Sequence, residues 1–167
     1  MEPNLKHGDI LVCRRDSFLS NIIRKATKSE WSHTSLVIEV WGVLYIVEMQ
    51  SKGIELISYT DWKEKWGYEY IIYRNSKAPL MYKAIAKSTL QKVGKRTKYD
   101  YFTFIFRIPW KLKTERFRYR GEGVETRRMI CSQFTGWVWN LKNWWKMTPD
   151  DQYIYLESST NWKQIKK

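Results

Sequence analysis

Three side chains of the types used in nucleophilic hydrolysis stand far apart in the sequence: Cys131, His33 and Glu48. Cys131 opens a predicted helix, directly after Arg127 and Arg128. A helix N-terminus and adjacent cations both stabilise a thiolate, and so they lower the pKa of a cysteine placed there. The thiolate is the nucleophilic form of the side chain. This position predicts a nucleophile, and the alternative is a buried cysteine that only packs.

His33 and Glu48 lie on neighbouring predicted strands of one hairpin. A two-residue turn at Trp41-Gly42 makes them diagonal neighbours on one face of the sheet, whereas an odd-length turn would separate them. Glu39 has the same parity as His33, but it lies about 20 Å away at 3.3 Å per residue. The hairpin therefore predicts an imidazole beside a carboxylate that orients it, which is the usual relation of a base to its third partner.

The rest of the pattern predicts one α+β domain over residues 1–167, with a mostly antiparallel sheet packed against helices. Runs of β-branched and aromatic residues predict strands at 8–15, 32–41, 43–50, 53–59 and 68–74. Apolar residues at helical spacing predict helices at 17–28, 79–94 and 130–141, with a short helix at 60–66 and a further helix start at Thr148-Pro149. We expect residues 100–128 to be an irregular basic insert and the C-terminal residues to fray.

Composition excludes several classes of protein. The 27 aromatic residues argue against disorder, and no stretch of about 18 apolar residues could form a transmembrane helix. Cys13, predicted to be a buried strand residue, and Cys131 cannot make a disulfide framework, and only two histidines are present. We therefore expect no metal and no cofactor. The N-terminus has no signal-peptide core, so the chain is expected to be cytoplasmic as synthesised, with release by lysis or packaging in a viral particle left open.

Several short segments, taken in their order, resemble the circularly permuted NlpC-type, papain-like cysteine hydrolases of the YiiX/YebB kind. The segments are Gly8-Asp9-Ile10, Ser32-His33-Thr34-Ser35, Val47-Glu48, Tyr99-Asp100 and Ile130-Cys131-Ser132-Gln133-Phe134. In unpermuted relatives the cysteine helix precedes the histidine strand, whereas here it follows. The resemblance covers roughly residues 8–160 and implies a papain-like fold with the nucleophile at a helix N-terminus.

The resemblance also implies a role for each matching residue. Cys131 would be the nucleophile, His33 the general base, and Glu48 the group that orients the imidazole. Tyr99 would donate to the oxyanion beside the backbone N–H of Cys131. The family often has Gly-x-x-Tyr at this point, and the spacing from Gly94 to Tyr99 is longer here.

Positive charge is concentrated in one segment of the chain. The net charge is +13, and residues 83–128 contain 14 basic and 4 acidic residues. Basic residues alternate with aromatic ones there, and the candidates for substrate or anion contact are Trp110, Arg116, Arg118, Arg120, Arg127 and Arg128. An anionic polymer or membrane surface is the first expected partner, and nucleic acid is the second, because basic and aromatic residues together suit single strands. The alternative is a solvated basic face.

These observations predict a cysteine-dependent amidase or endopeptidase that acts through a thioester intermediate. The resemblance implies cell-wall peptides as the substrate. One alternative is a lipid-directed acyltransferase or thioesterase. Another is a catalytically silent binding or particle-structural protein of the same fold, and the oligomeric state is left open.

Overall fold

The structure is a computed structural model, and it describes residues 4–66, 68–93, 97–100 and 128–165. The strands in this part of the chain are β1 (Ile10–Arg14), β2 (His33–Val40), β3 (Val43–Gln50), β4 (Gly53–Ser58), β5 (Glu69–Asn75), β6 (Lys98–Tyr99), β7 (Arg128–Met129) and β8 (Trp162–Ile165). The helices are α1 (Phe18–Thr27), α2 (Tyr59–Lys65), α3 (Ala78–Val93), α4 (Cys131–Val138) and α5 (Pro149–Ser158), with a 3₁₀ turn at Trp144–Lys146.

Six of the strands form one antiparallel sheet in the order β4-β3-β2-β1-β5-β8. The short strands β6 and β7 pair in parallel and bring Tyr99 beside Met129. The predicted α+β architecture with a mostly antiparallel sheet is therefore confirmed for the described residues. None of the helices in these ranges is long and apolar enough to cross a membrane.

The hairpin of β2 and β3 turns at Trp41-Gly42, as the sequence predicts. Both turn residues have positive φ, 51° for Trp41 and 78° for Gly42, which matches the twist of a two-residue hairpin turn. Val40 pairs with Val43, and the register continues to Leu36 opposite Val47. This register confirms the parity that places His33 and Glu48 on the same face of the sheet. Trp41 is 97% exposed at the tip.

The sheet buries a cluster of apolar residues on each of its faces. Alternate residues of β1 belong to different clusters: Ile10 and Val12 pack with Phe134 of α4, whereas Leu11 and Cys13 pack with Trp62 of α2. The period of two in strand side chains explains this division. The sheet thus separates the cysteine helix α4 from helix α2.

Asp9, the acidic residue just before β1, has a structural role. It is fully buried, and its two carboxylate oxygens accept hydrogen bonds of 2.8 Å each from the Arg74 guanidinium on β5. The backbone N–H of Lys6 also donates to it. A bidentate pair of this kind fixes the approach of the N-terminal segment to the neighbouring strand.

The end of the chain differs from the sequence prediction in one respect. Residues 162–165 form a strand, β8, that the sequence pattern does not predict, and they pair with β5 from Trp162 opposite Asn75 to Ile165 opposite Ile72. The predicted fraying of Lys166-Lys167 lies outside the described residues. The Trp162 ring packs against Trp139 with centroids 4.8 Å apart. This contact is between residues distant in sequence, so the local pattern of β8 could not reveal it.

Candidate active site

Cys131 is the first residue of α4. Ile130 precedes it with extended backbone, and its N–H donates to the Gln133 side chain at 3.1 Å, which fixes the entry into the helix. At this position the thiol lies at the positive end of the helix, where free backbone N–H groups favour an anion. Cys131 thus occupies the first position of this helix.

Cys131 and His33 interact electrostatically, although the two residues are 98 positions apart in the chain. Burial alone would raise the pKa of Cys131, but the charge of His33 and a hydrogen bond with it outweigh burial and lower this pKa from its ordinary value of 9.0. Backbone hydrogen bonds at Thr34 and Ser132 act in the same direction. The arrangement favours a thiolate facing an imidazolium.

The pKa of His33 moves in the opposite direction. Burial lowers it, whereas the neighbouring Cys131 and Glu48 raise it, and the net result is a pKa above the ordinary 6.5. A raised histidine pKa beside a lowered cysteine pKa describes one coupled pair that shares a proton. The protonated imidazole is the form that can later give its proton to a leaving group.

Glu48 faces His33 from the adjacent strand. Its Oε1 lies 3.5 Å from Nε2 of His33, a separation that suits an ion pair and exceeds a good hydrogen bond. Burial would raise the pKa of Glu48, but the charge of His33 and the hydrogen bond from Ser35 outweigh it and hold the pKa at about 2. Glu48 is therefore an anion throughout the neutral range, and it supports the charged form of His33.

Three further side chains hold the Glu48 carboxylate in place. The Ser35 hydroxyl and the Trp62 indole N–H each donate to Oε1 at 2.7 Å, and the Gln50 amide donates to Oε2. Ser35 and Gln50 lie on the same face of the β2–β3 hairpin as His33 and Glu48. The hairpin register could therefore have predicted that they contact the Glu48 carboxylate. Trp62 comes from α2, and no local pattern links it to the hairpin.

Tyr99 and Cys13, the two other residues considered for chemistry, have different surroundings. Tyr99 lies on β6 opposite Met129 and packs near Ile130, close in the chain to Cys131. Its proposed role as an oxyanion donor stays a prediction. Cys13 is fully buried in β1, as expected, and burial raises its pKa well above the ordinary value.

The predicted anion-binding residues lie outside the part of the chain whose side chains the structure describes. Trp110, Arg116, Arg118, Arg120 and Arg127 lie outside the described residues. Arg128 begins β7, and its side chain is likewise outside the description. The basic insert around 100–128 stays a prediction.

The site is closed to solvent. Cys131 is 1% exposed, and His33 and Glu48 are also buried. Exclusion of water strengthens the charge interactions among the three groups.

The fold and this constellation can be compared with known proteins. No family model matches the chain, and no curated protein is similar enough to count as a relative. Among solved structures, the chain is similar to the crystal structure of metalloprotein YiiX from Escherichia coli O157:H7, with a TM-score of 0.63 and 17% identity over 97% of each chain. The chain therefore has a YiiX-like fold. At this identity the likeness concerns the fold alone.

Proposed function

We propose that the protein is a cysteine-dependent hydrolase that cleaves an amide bond through a thioester intermediate. The observation that carries the proposal is the contact of the Cys131 thiol, at the start of α4, with an imidazole that Glu48 faces from the other side. Nucleophile, base and orienting group in this relation are the general requirement for nucleophilic catalysis. Their convergence from three separate elements is difficult to explain by packing alone.

In the proposed reaction the Cys131 thiolate attacks the carbonyl carbon of the substrate and forms a tetrahedral oxyanion. The free N–H groups at the start of α4 would stabilise that charge. The His33 imidazolium gives its proton to the leaving amine as the C–N bond breaks, which leaves a thioester on Cys131. His33 then takes a proton from water, the resulting hydroxide attacks the thioester, and the acid product leaves while the thiolate is restored.

The resemblance to permuted NlpC-type hydrolases supports cell-wall peptides as the substrate class. The similar YiiX structure is described as a metalloprotein. In the described ranges of this chain, no group of three His, Cys, Asp or Glu side chains is placed to hold a metal ion. The side chains of His33, Glu48 and Cys131 thus do not fit a metal site, and the reaction described above uses no metal ion.

A lipid-directed acyltransferase or thioesterase is a second candidate, favoured by the outer face of α1. Phe18 on this helix is 78% exposed and Ile22 is 36% exposed, while its inner residue Ile23 packs against Ile130 beside the nucleophile. Exposed apolar side chains close to a reactive thiol suit an acyl chain or a lipid surface. Release of fatty acid from phospholipid vesicles would favour this candidate, and release of new amines from cell-wall fragments would favour the first.

The two cysteines should differ in reactivity towards iodoacetamide. We expect Cys131 to be alkylated at least tenfold faster than Cys13 at pH 7, because the Cys131 pKa is lowered and the Cys13 pKa is raised. The midpoint of the Cys131 rate against pH should lie below 9.0 and should rise in a His33→Ala variant. Mass spectrometry of the digested protein measures both rates. Equal labelling of the two cysteines in the folded protein would contradict the proposal.

A further inference from the structure

A pocket lies at the end of β1, beside the connection from α2 to β5. Its volume is about 450 Å³. It is lined by Arg14, Arg15 and Asp16 from the end of β1, and by Trp66, Tyr68 and Glu69 from the connection between α2 and β5. None of these residues is among those predicted from the sequence to bind an anion. The pocket is therefore a second, independent place where a charged ligand could be held.

Arg15 is the side chain of this pocket that can recognise a ligand. Its guanidinium lies over the Tyr68 ring, 4.6 Å from the centroid, and over the Trp66 ring at 5.1 Å. Two of its nitrogens donate to the Gln50 side-chain oxygen at 3.3 Å each. Rings on its face and an amide at one edge hold the guanidinium plane in a fixed direction. A planar guanidinium held in this way suits two-point binding of a carboxylate or phosphate.

The carboxylates around the pocket are paired with other arginines. Glu69 lies 3.8 Å from Arg14, and Asp16 lies 3.1 Å from Arg24. Within the described ranges Arg15 forms no ion pair with a carboxylate. Arg15 is thus the arginine of the pocket whose charge a ligand anion would pair with, and at longer range this charge also attracts the Glu48 carboxylate.

A single side chain, Gln50, connects the pocket to the candidate active site. Gln50, which accepts from Arg15, donates to the Glu48 carboxylate. The Tyr68 ring meets the His33 ring edge-on, with centroids 6.5 Å apart. The Arg15 backbone N–H donates to the hydroxyl of Ser32, the residue before His33, at 3.0 Å. A group bound on Arg15 would therefore adjoin the side chains that hold Glu48 and His33.

We propose that this pocket binds an oxyanion of the substrate, a carboxylate or a phosphate, on the Arg15 guanidinium beside Trp66 and Tyr68. The inference rests on the proposed function in one respect, since it takes Cys131 as the reacting centre. It adds a substrate class: molecules that carry an anionic group a short distance from the bond that is cleaved. The two aromatic rings favour a ligand whose apolar or planar part adjoins that anion.

The test measures ligand binding by calorimetry in the full chain with Cys131→Ala, so that no probe is consumed. The probes are inorganic phosphate, N-acetyl-dialanine with a free carboxylate, and the same dipeptide as its C-terminal amide. We expect one of the two anions to bind and the amide not to bind. Preference for phosphate or for the carboxylate identifies which anion the substrate carries, and binding of neither overturns the inference.

Two variants and one matched control locate the binding at Arg15. Arg15→Gln should weaken anion binding by about 10- to 100-fold, as expected for loss of a charged hydrogen bond. Arg15→Lys keeps the charge but loses the planar fork, and it should weaken binding by a smaller factor. Lys25→Gln removes the same charge from the exposed surface of α1 and should leave binding unchanged. An equal loss in Lys25→Gln and Arg15→Gln would show a general charge effect and overturn the inference.

This test is separable from the test of the proposed function. If Cys131 is alkylated selectively but no anion binds, the hydrolase proposal stands and the pocket assignment fails. If an anion binds through Arg15 but Cys131 is no more reactive than Cys13, the pocket assignment stands as a binding site and the hydrolase proposal fails. Thermal unfolding followed by circular dichroism confirms that each Arg15 variant is folded before binding is interpreted.

Discussion

Replacing Cys131 by alanine should lower kcat/KM for release of amines from cell-wall fragments by about 10⁴-fold or more. The reason is that no other described group at the site can form the thioester, so only binding and the helix N–H groups remain to assist water. Cys131→Ser should fall to a similar level, because a hydroxyl lacks the low pKa that His33 and the helix give to the thiol. Amine-reactive labelling of the digested fragments measures the rate.

Cys13→Ala is the matched control for this experiment, because Cys13 is the other cysteine of the chain and is fully buried. Its thiol contacts the Ser35 hydroxyl only weakly, at 3.9 Å. Removing one buried sulfur should cost some stability and leave kcat/KM within about threefold, since no step uses this group. Retention of amine release in Cys131→Ala, with wild-type stability, would exclude Cys131 as the nucleophile.

Replacing Glu48 by glutamine should lower kcat/KM by about 10²- to 10⁴-fold and narrow its pH profile. In the wild type, activity should rise as Cys131 ionises, below pH 9.0, and fall as the His33 imidazolium deprotonates, above pH 6.5. Glu48 raises the pKa of His33. The loss of Glu48 therefore moves the alkaline limb, the fall of kcat/KM at high pH, to lower pH. Rates measured across the pH range separate this shift from a simple loss of folded protein.

The same substitution should also change the dependence of stability on pH. Glu48 has a pKa of about 2 in the folded protein against an ordinary 4.5, so its stabilising effect is complete above pH 4.5 and is lost as the pH falls towards 2. A difference of this size corresponds to about 3 kcal/mol. We expect Glu48→Gln to be less stable than the wild type at pH 7, and the difference in free energy of unfolding to shrink towards pH 2.

Glu39→Gln is the matched control, because Glu39 lies on the same strand as His33 but at its far end. It should leave the alkaline limb of kcat/KM unchanged. Urea unfolding at pH 7 and at pH 3 measures the stability of all three proteins. An unshifted alkaline limb in Glu48→Gln would show that this carboxylate does not act through His33.

The features of the site that depend on local pattern could be predicted from the sequence. The two-residue turn at Trp41-Gly42 determines the hairpin register, and the register places His33 and Glu48 on one face. The start of α4 at Cys131 follows from apolar spacing along the helix. Each prediction needs only a turn or a helix boundary, which neighbouring residues determine.

The features that depend on distant contacts could not be predicted in this way. Trp62 donates to Glu48 because α2 packs on the sheet, and Arg15 reaches Gln50 because β1 and β3 lie on either side of β2. These contacts are set by the order of strands in the sheet, which a single sequence does not reveal. The interaction of His33 with Cys131 is also a long-range feature, which local pattern alone does not reveal.

The short strand β8 also protects the protein against self-association. It covers the edge of β5, where Ile72 and Tyr73 would otherwise offer unpaired backbone groups beside buried apolar residues. An open edge of this kind is a template for pairing with a second chain and for aggregation. β8 places Lys163 and Gln164, both exposed, on the outermost strand. A chain that ends before Trp162 would retain Cys131, His33 and Glu48 but would lose the strand that keeps its sheet from growing.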